Sequence, residues 1–210
     1  MINMNPRRAK TTLASTPGSF AQHERPASEV GLHSATMPGI KRHESSDEIL
    51  ANVIRHYSRD FDLLNAYDRG SFDDTAGTEP TWSLDLTTAR KAIAAVRARF
   101  PHDELFGAEH GDRLSAVLDQ IEQSSFGRPL YATVEDRAAH LIYLTVKNHP
   151  LSDGNKRSAV ALAGYYLSQN GAQPLPEFTL AVLTLIAAAS GPEEKDSVIG
   201  VLRTVLLQNR

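Results

Sequence analysis

From Glu44 onward, apolar residues recur at steps of three and four, the spacing that places side chains on one face of a helix. Ile49, Leu50, Val53, Ile54, Tyr57, Phe61 and Leu64 follow a Ser45/Ser46 cap with Asp47 and Glu48 in the first turn. This predicts one amphipathic helix ending near Gly70, with a face that must pack on something. Gly70 to Trp82 is turn-rich and contains Pro80. A second helix carries Leu86, Ala89, Ile93, Val96 and Phe100 and is closed by Pro101. A third runs from Asp112 through Leu114, Val117, Leu118 and Ile121 and stops in Ser124-Ser125-Phe126-Gly127. The stretch Arg128-Pro129-Leu130-Tyr131-Ala132 is not helical in pattern.

A fourth helix opens with Thr133 and Asp136 in capping-box spacing. It is apolar over much of its circumference through Ala138, Ala139, Leu141, Ile142, Leu144 and Val146, as expected of a buried central helix. A fifth begins near Asn155 and stops at Asn170-Gly171. Two more are predicted over Phe178–Ala189 and Val198–Leu207. Seven helical patterns with almost no alternating strand signal predict an all-α bundle without internal repeats.

Residues 1–43 have no apolar period and mix Ser, Thr, Pro, Gly and His, so they read as a flexible arm. The remainder divides into an N-terminal helical part, 44–104, and a core, 105–210. Residues 1–44 carry six Lys/Arg against three Glu, so the first 44 residues are +3 and the rest of the chain is −6. An acidic body is a poor generic nucleic-acid binder, and none is expected as a partner. Met1 to Gln22 is basic and free of acids but lacks the apolar stretch of a secretory signal. With no apolar run long enough for a membrane span and no cysteine, a cytoplasmic protein is expected, a secreted effector being the alternative. None of the eight histidines forms a metal pair at helical spacing.

The chemistry lies in His149-Pro150-Leu151-Ser152-Asp153-Gly154-Asn155-Lys156-Arg157, between the two most apolar helices. Pro150 ends the incoming helix, Gly154 allows a tight turn and Asn155 is placed to cap the outgoing helix. Turn chemistry does not explain Lys156 and Arg157 in a first helical turn, where the macrodipole is positive and acids are preferred. An anion at that terminus resolves the mismatch. Backbone N–H groups from Gly154 to Arg157 would cradle it, and Arg157 would clamp it, with phosphate the obvious candidate. Asp153 beside a phosphate calls for a bridging Mg²⁺, and His149 is near enough in sequence to be the base for an attacking hydroxyl. Taken singly, the same residues are also a helix-ending His, an Asp-Gly-Asn turn and a solvated Lys-Arg pair.

The nine residues resemble the Fic/Doc (Fido) family signature, His-x-Phe-x-Asp/Glu-Gly-Asn-x-Arg, and Leu105 to Gly171 resembles the death-on-curing (Doc) branch. The resemblance implies a helical bundle, with the motif loop and next helix forming a nucleotide-phosphate site. It makes His149 the general base, Asp153 the Mg²⁺ ligand, Gly154, Asn155 and Lys156 the anion cradle, and Arg157 the clamp. A short flap that positions the target chain maps to Gly127–Ala132, with Leu130 and Tyr131. The family's aromatic at the third motif position is Leu151, which should still anchor the loop in the core. Lys156 stands where adenylylating members carry Gly, and Val160 where they carry a second Arg. Both resemble Doc, which implies phosphoryl transfer from ATP or another nucleoside triphosphate to a Ser, Thr or Tyr hydroxyl of a protein. Translation machinery is the implied target class, and AMP transfer by the same loop is the alternative. No Glu is followed by Gly or Asn, so the family's inhibitory helix is not found and an antitoxin-like partner is the implied control. A reading from another class is a non-catalytic binding module that keeps only the anion site.

Overall fold

The computed structural model describes residues 45–72 and 76–208; the arm predicted for residues 1–43 lies outside them. Among the described residues are eight α-helices and one two-stranded hairpin, which agrees with the all-α expectation. The helices are α1 (Ser46–His56), α2 (Ser58–Arg69), α3 (Leu86–Arg97), α4 (Arg113–Ile121), α5 (Val134–Lys147), α6 (Asn155–Gln169), α7 (Thr179–Ala189) and α8 (Lys195–Leu207).

The bundle is organised around α5. Thr133 caps it, its side chain accepting from the Asp136 N–H, and Glu135 and Asp136 place negative charge at the positive end of the macrodipole. Eleven of its fourteen residues are buried, since α4, α6, α7 and α8 all pack on it. Two of the buried residues are charged, and each is paired as burial requires. Glu135 accepts from the Thr78 N–H and hydroxyl at 2.9 and 2.8 Å, and Arg137 donates to Glu122 at 2.6 Å and to the Tyr131 carbonyl at 3.0 Å. α6 lies against α3, α5 and α7, burying Ala159, Leu162, Ala163, Tyr166 and Leu167.

The single helix expected up to Gly70 is two helices, divided at Tyr57 by a ψ of 16°. Neither buries a residue, so the face read as core-packing is exposed: Leu50 57%, Ile54 51%, Phe61 50% and Leu64 62%. With no core to hold the segment straight, one non-helical ψ is enough to divide it. Only α2 reaches the rest of the bundle, against α8, where the Tyr67 hydroxyl donates to Glu194 at 2.8 Å.

The stretch before α5 is a tight antiparallel hairpin of β1 (Ser124–Ser125) and β2 (Arg128–Pro129), in register Ser124↔Pro129 and Ser125↔Arg128. Phe126 and Gly127 form its tip with φ of 52° and 76°, the left-handed pair that a two-residue hairpin turn requires.

Candidate active site

The chain leaves α5 through the Asn148 cap and turns at once, because His149 adopts a left-handed φ of 45°. That reversal leaves the imidazole exposed while Pro150 and Leu151 turn inward, Leu151 being 1% exposed. Leu151 therefore anchors the loop in the core, as its apolar character implied.

Two devices hold the loop. The first is Asn155, whose Oδ1 accepts from the Leu151 N–H at 3.0 Å and whose Nδ2 donates to the Leu151 carbonyl at 2.7 Å. This corrects the sequence expectation: Asn155 staples the loop to itself, and the position that caps α6 is Gly154, left-handed at φ 85°, with no side-chain cap. The second device is the segment 106–110, which lies along the loop like a strand. Phe106 bridges Asp153 and Glu109 bridges Leu151. The Gly107 N–H donates to the Asp153 carbonyl (3.1 Å), the Ser152 N–H to Ala108 (2.7 Å) and the His110 N–H to Pro150 (2.8 Å). Arg90 of α3 grips this segment through a two-pronged pair with Glu109 at 2.7 and 2.9 Å, which holds the Glu109 carboxyl below its ordinary range.

The first intrahelical donor of α6 is Ser158, bonded to the Gly154 carbonyl at 2.8 Å. The N–H groups of Asn155, Lys156 and Arg157 thus have no intrahelical acceptor and form the positive end of a fifteen-residue helix. Lys156 is exposed. Arg157 is held on every side: Nη1 donates to Asp103 at 2.5 Å, Nη2 donates to Asp153 at 3.0 Å, and Cζ lies 4.5 Å from the ring centres of both Phe100 and Phe106. Much of the charge mismatch that pointed to an external anion is therefore relieved for Arg157 by two carboxylates of the chain itself.

His149, Ser152, Asp153, Gly154, Asn155, Lys156 and Arg157 line one pocket of about 400 Å³, walled on its far side by Val146, Lys147 and Ala188. Lys147 donates to the Ser190 carbonyl at 2.6 Å, tying that wall to the end of α7. The expected site residues of the motif are thus brought together. Leu130 and Tyr131 do not line this pocket. The hairpin begins at Ser124, before the expected flap, and these two residues are its root: the Leu130 N–H closes it on the Gln123 carbonyl (2.8 Å), and Tyr131 stacks on His140 with ring centres 3.7 Å apart. Phe100, Asp103, Phe106 and Lys147 were missed by the sequence reading. The unpaired charge of Arg157 was a signal that an acid should lie near it, but not which one.

Among the described residues no group of three or more His, Asp or Glu is arranged to hold a metal. Asp153 is the carboxylate on the pocket wall, so a divalent ion there would rest on it and on oxygens of a ligand. No helix of the described residues is long and apolar enough to cross a membrane.

Residues 83–167, which span α3 to most of α6 and include the motif loop, match the model of the Fic/DOC family. A toxin Doc of Mycolicibacterium smegmatis (strain ATCC 700084 / mc(2)155) is 37% identical over 65 residues, 31% of this chain and 50% of that protein. The chain thus spans about half the length of the curated relative it matches. No solved structure matches.

Proposed function

We propose that the protein is a Doc-like, toxin-like transferase that moves the terminal phosphoryl group of ATP, or another nucleoside triphosphate, onto a hydroxyl side chain of a target protein. The observation that carries this reading is the convergence on one pocket of His149, Asp153, the free N–H groups of Asn155 to Arg157, and the Arg157 guanidinium. A base, an anion cradle and a cation around one cavity are the parts phosphoryl transfer needs, because its catalysis is mostly positioning and charge neutralisation.

In this reading the target hydroxyl attacks the γ-phosphorus in line. A new oxygen–phosphorus bond forms, the bond from the γ-phosphorus to the β,γ-bridging oxygen breaks, the nucleoside diphosphate leaves, and the hydroxyl proton passes to His149. His149 is suited to this, since among the described residues no hydrogen bond or ion pair engages its imidazole. Asn155, Lys156 and Arg157 bind the phosphates through backbone N–H groups, and Arg157 adds a charge-assisted fork. Mg²⁺ at Asp153 would supply charge neutralisation for the triphosphate.

Lys156 and Val160, where AMP-transferring members carry Gly and Arg, favour phosphoryl over AMP transfer. The relative is named a toxin, which supports a toxin-like setting with an antitoxin-like partner as inhibitor; translation machinery as the class of target follows from the Doc resemblance of the motif alone. The test is intact-mass analysis of candidate target proteins incubated with the chain, MgCl₂ and ATP. A gain of about 80 Da supports phosphoryl transfer, about 329 Da would transfer the reading to AMP, and no gain in the presence of proven ATP binding would favour a binding module.

A further inference from the structure

Resting on the reading of Arg157 as the phosphate clamp, we propose that Asp103 is a positioning residue: it keeps the guanidinium on the Phe100–Phe106 shelf when Asp153 turns to an incoming ligand. The two carboxylates on Arg157 are not equivalent. Asp153 lies one helical turn before Arg157 in the chain, is half-exposed and lines the pocket, whereas Asp103 comes from the turn between α3 and α4 and does not line it. A ligand with its cation takes Asp153 away from Nη2 and leaves Asp103 in place.

Asp103 is itself fixed by the residues that form the shelf. Its N–H donates to the Phe100 carbonyl at 3.1 Å and its carbonyl accepts from the Phe106 N–H at 3.0 Å, so the acid stands in a turn bracketed by the two aromatic residues. Their rings are stacked, 5.9 Å apart at 11°, and the guanidinium lies against both. A planar cation resting on ring faces and pulled by one carboxylate has its plane and its direction set. Asp103 engages Nη1 alone, so Nε and, after Asp153 has moved, Nη2 remain as a two-pronged edge for a phosphate. The long arginine side chain is thereby ordered before the anion arrives, and binding does not have to order it.

The experiment compares the full chain with Asp103→Asn, Asp103→Glu and Phe100→Leu, after thermal melting has established which variants fold. Two quantities are read: the ¹⁵N NMR signal of the Arg157 Nε–Hε group without ligand, and the affinity for ATP with MgCl₂ by titration calorimetry. The expectation for Asp103→Asn is faster exchange of the Arg157 signal and about tenfold weaker ATP binding. Asp103→Glu should recover part of both, and Phe100→Leu should loosen the signal in the same direction. Equal or tighter ATP binding by a folded Asp103→Asn protein overturns the proposal and makes Asp103 a competitor for the clamp. An unchanged Nε–Hε signal overturns it as well. If the wild-type chain binds no ATP, the nucleotide reading fails, and the NMR comparison still decides whether Asp103 fixes Arg157.

Discussion

The ring of Phe106 lies under Gly154 so closely that a Cβ on the glycine would stand 2.7 Å from Cε2 and 2.8 Å from two further ring carbons. Phe106 is fully buried and cannot retreat, and it is also one of the two rings carrying Arg157. The turn that opens α6 and the shelf under its arginine are therefore one packed unit.

Gly154→Ala follows directly. The φ of 85° is strained for any residue with a Cβ, and the added methyl strikes a ring that has no free side to move into. A loss of about 2–4 kcal/mol in urea unfolding is expected. A variant within a few tenths of a kcal/mol of wild type would show that the turn relaxes.

Asn155→Ala removes both bonds to Leu151 and leaves a backbone N–H and a carbonyl without their partner at a residue 1% exposed. A cost of about 1–3 kcal/mol is expected. Amide hydrogen exchange should rise selectively at Leu151, while the centre of α5 keeps its protection.

His149→Ala should slow target modification about 10²–10⁴-fold. ATP affinity should stay near the wild-type value, because the backbone cradle and Arg157 are untouched. Single-turnover kinetics beside a binding titration separates the two, and a variant as fast as wild type would remove His149 from the base role.

His140 predicts a pH dependence. Burial depresses its pKa, partly offset by the Asp136 carbonyl that accepts from Nδ1–H at 2.8 Å. A folded value below the unfolded one of about 6.5 means that the unfolded chain takes up the proton first. The contribution is complete above about pH 6.5 and is lost as pH falls from there through the folded value. The decline in melting temperature between about pH 7 and 5 should be shallower in His140→Phe, which cannot titrate. An equal decline in both would place the acid sensitivity elsewhere.

Thr145 lies fully buried in α5 with no hydrogen-bond partner for its hydroxyl among the described residues. Thr145→Val keeps the shape and removes the unpaired group, so stability should rise by about 0.5–1 kcal/mol. Denaturant unfolding of the two proteins measures this, and a loss would reveal a partner for the hydroxyl.

What the amino-acid order determined by itself is what local physics encodes. The three-and-four periodicity in α3 to α8, the Thr133 cap of α5 and the Pro150 and Gly154 punctuation place the helices and the motif loop with no knowledge of what they touch. The apolar stripe on α1 and α2 shows where that stops, since a face is a local property while its burial needs a partner, and among the described residues only α2 meets one, α8, with no residue of either helix buried. The same limit applies at the site. The charge of Arg157 announces a need for an anion, but two intramolecular carboxylates meet it, one of them 54 residues away in the chain. Asn155 has the chemistry of a helix cap, but the loop bends back through the left-handed Gly154 and puts the Leu151 backbone within its reach, so that the amide staples the loop instead. Tertiary structure decided these points because one carboxylate, ring or amide can serve several partners, and the choice is made by which segments the core packs side by side.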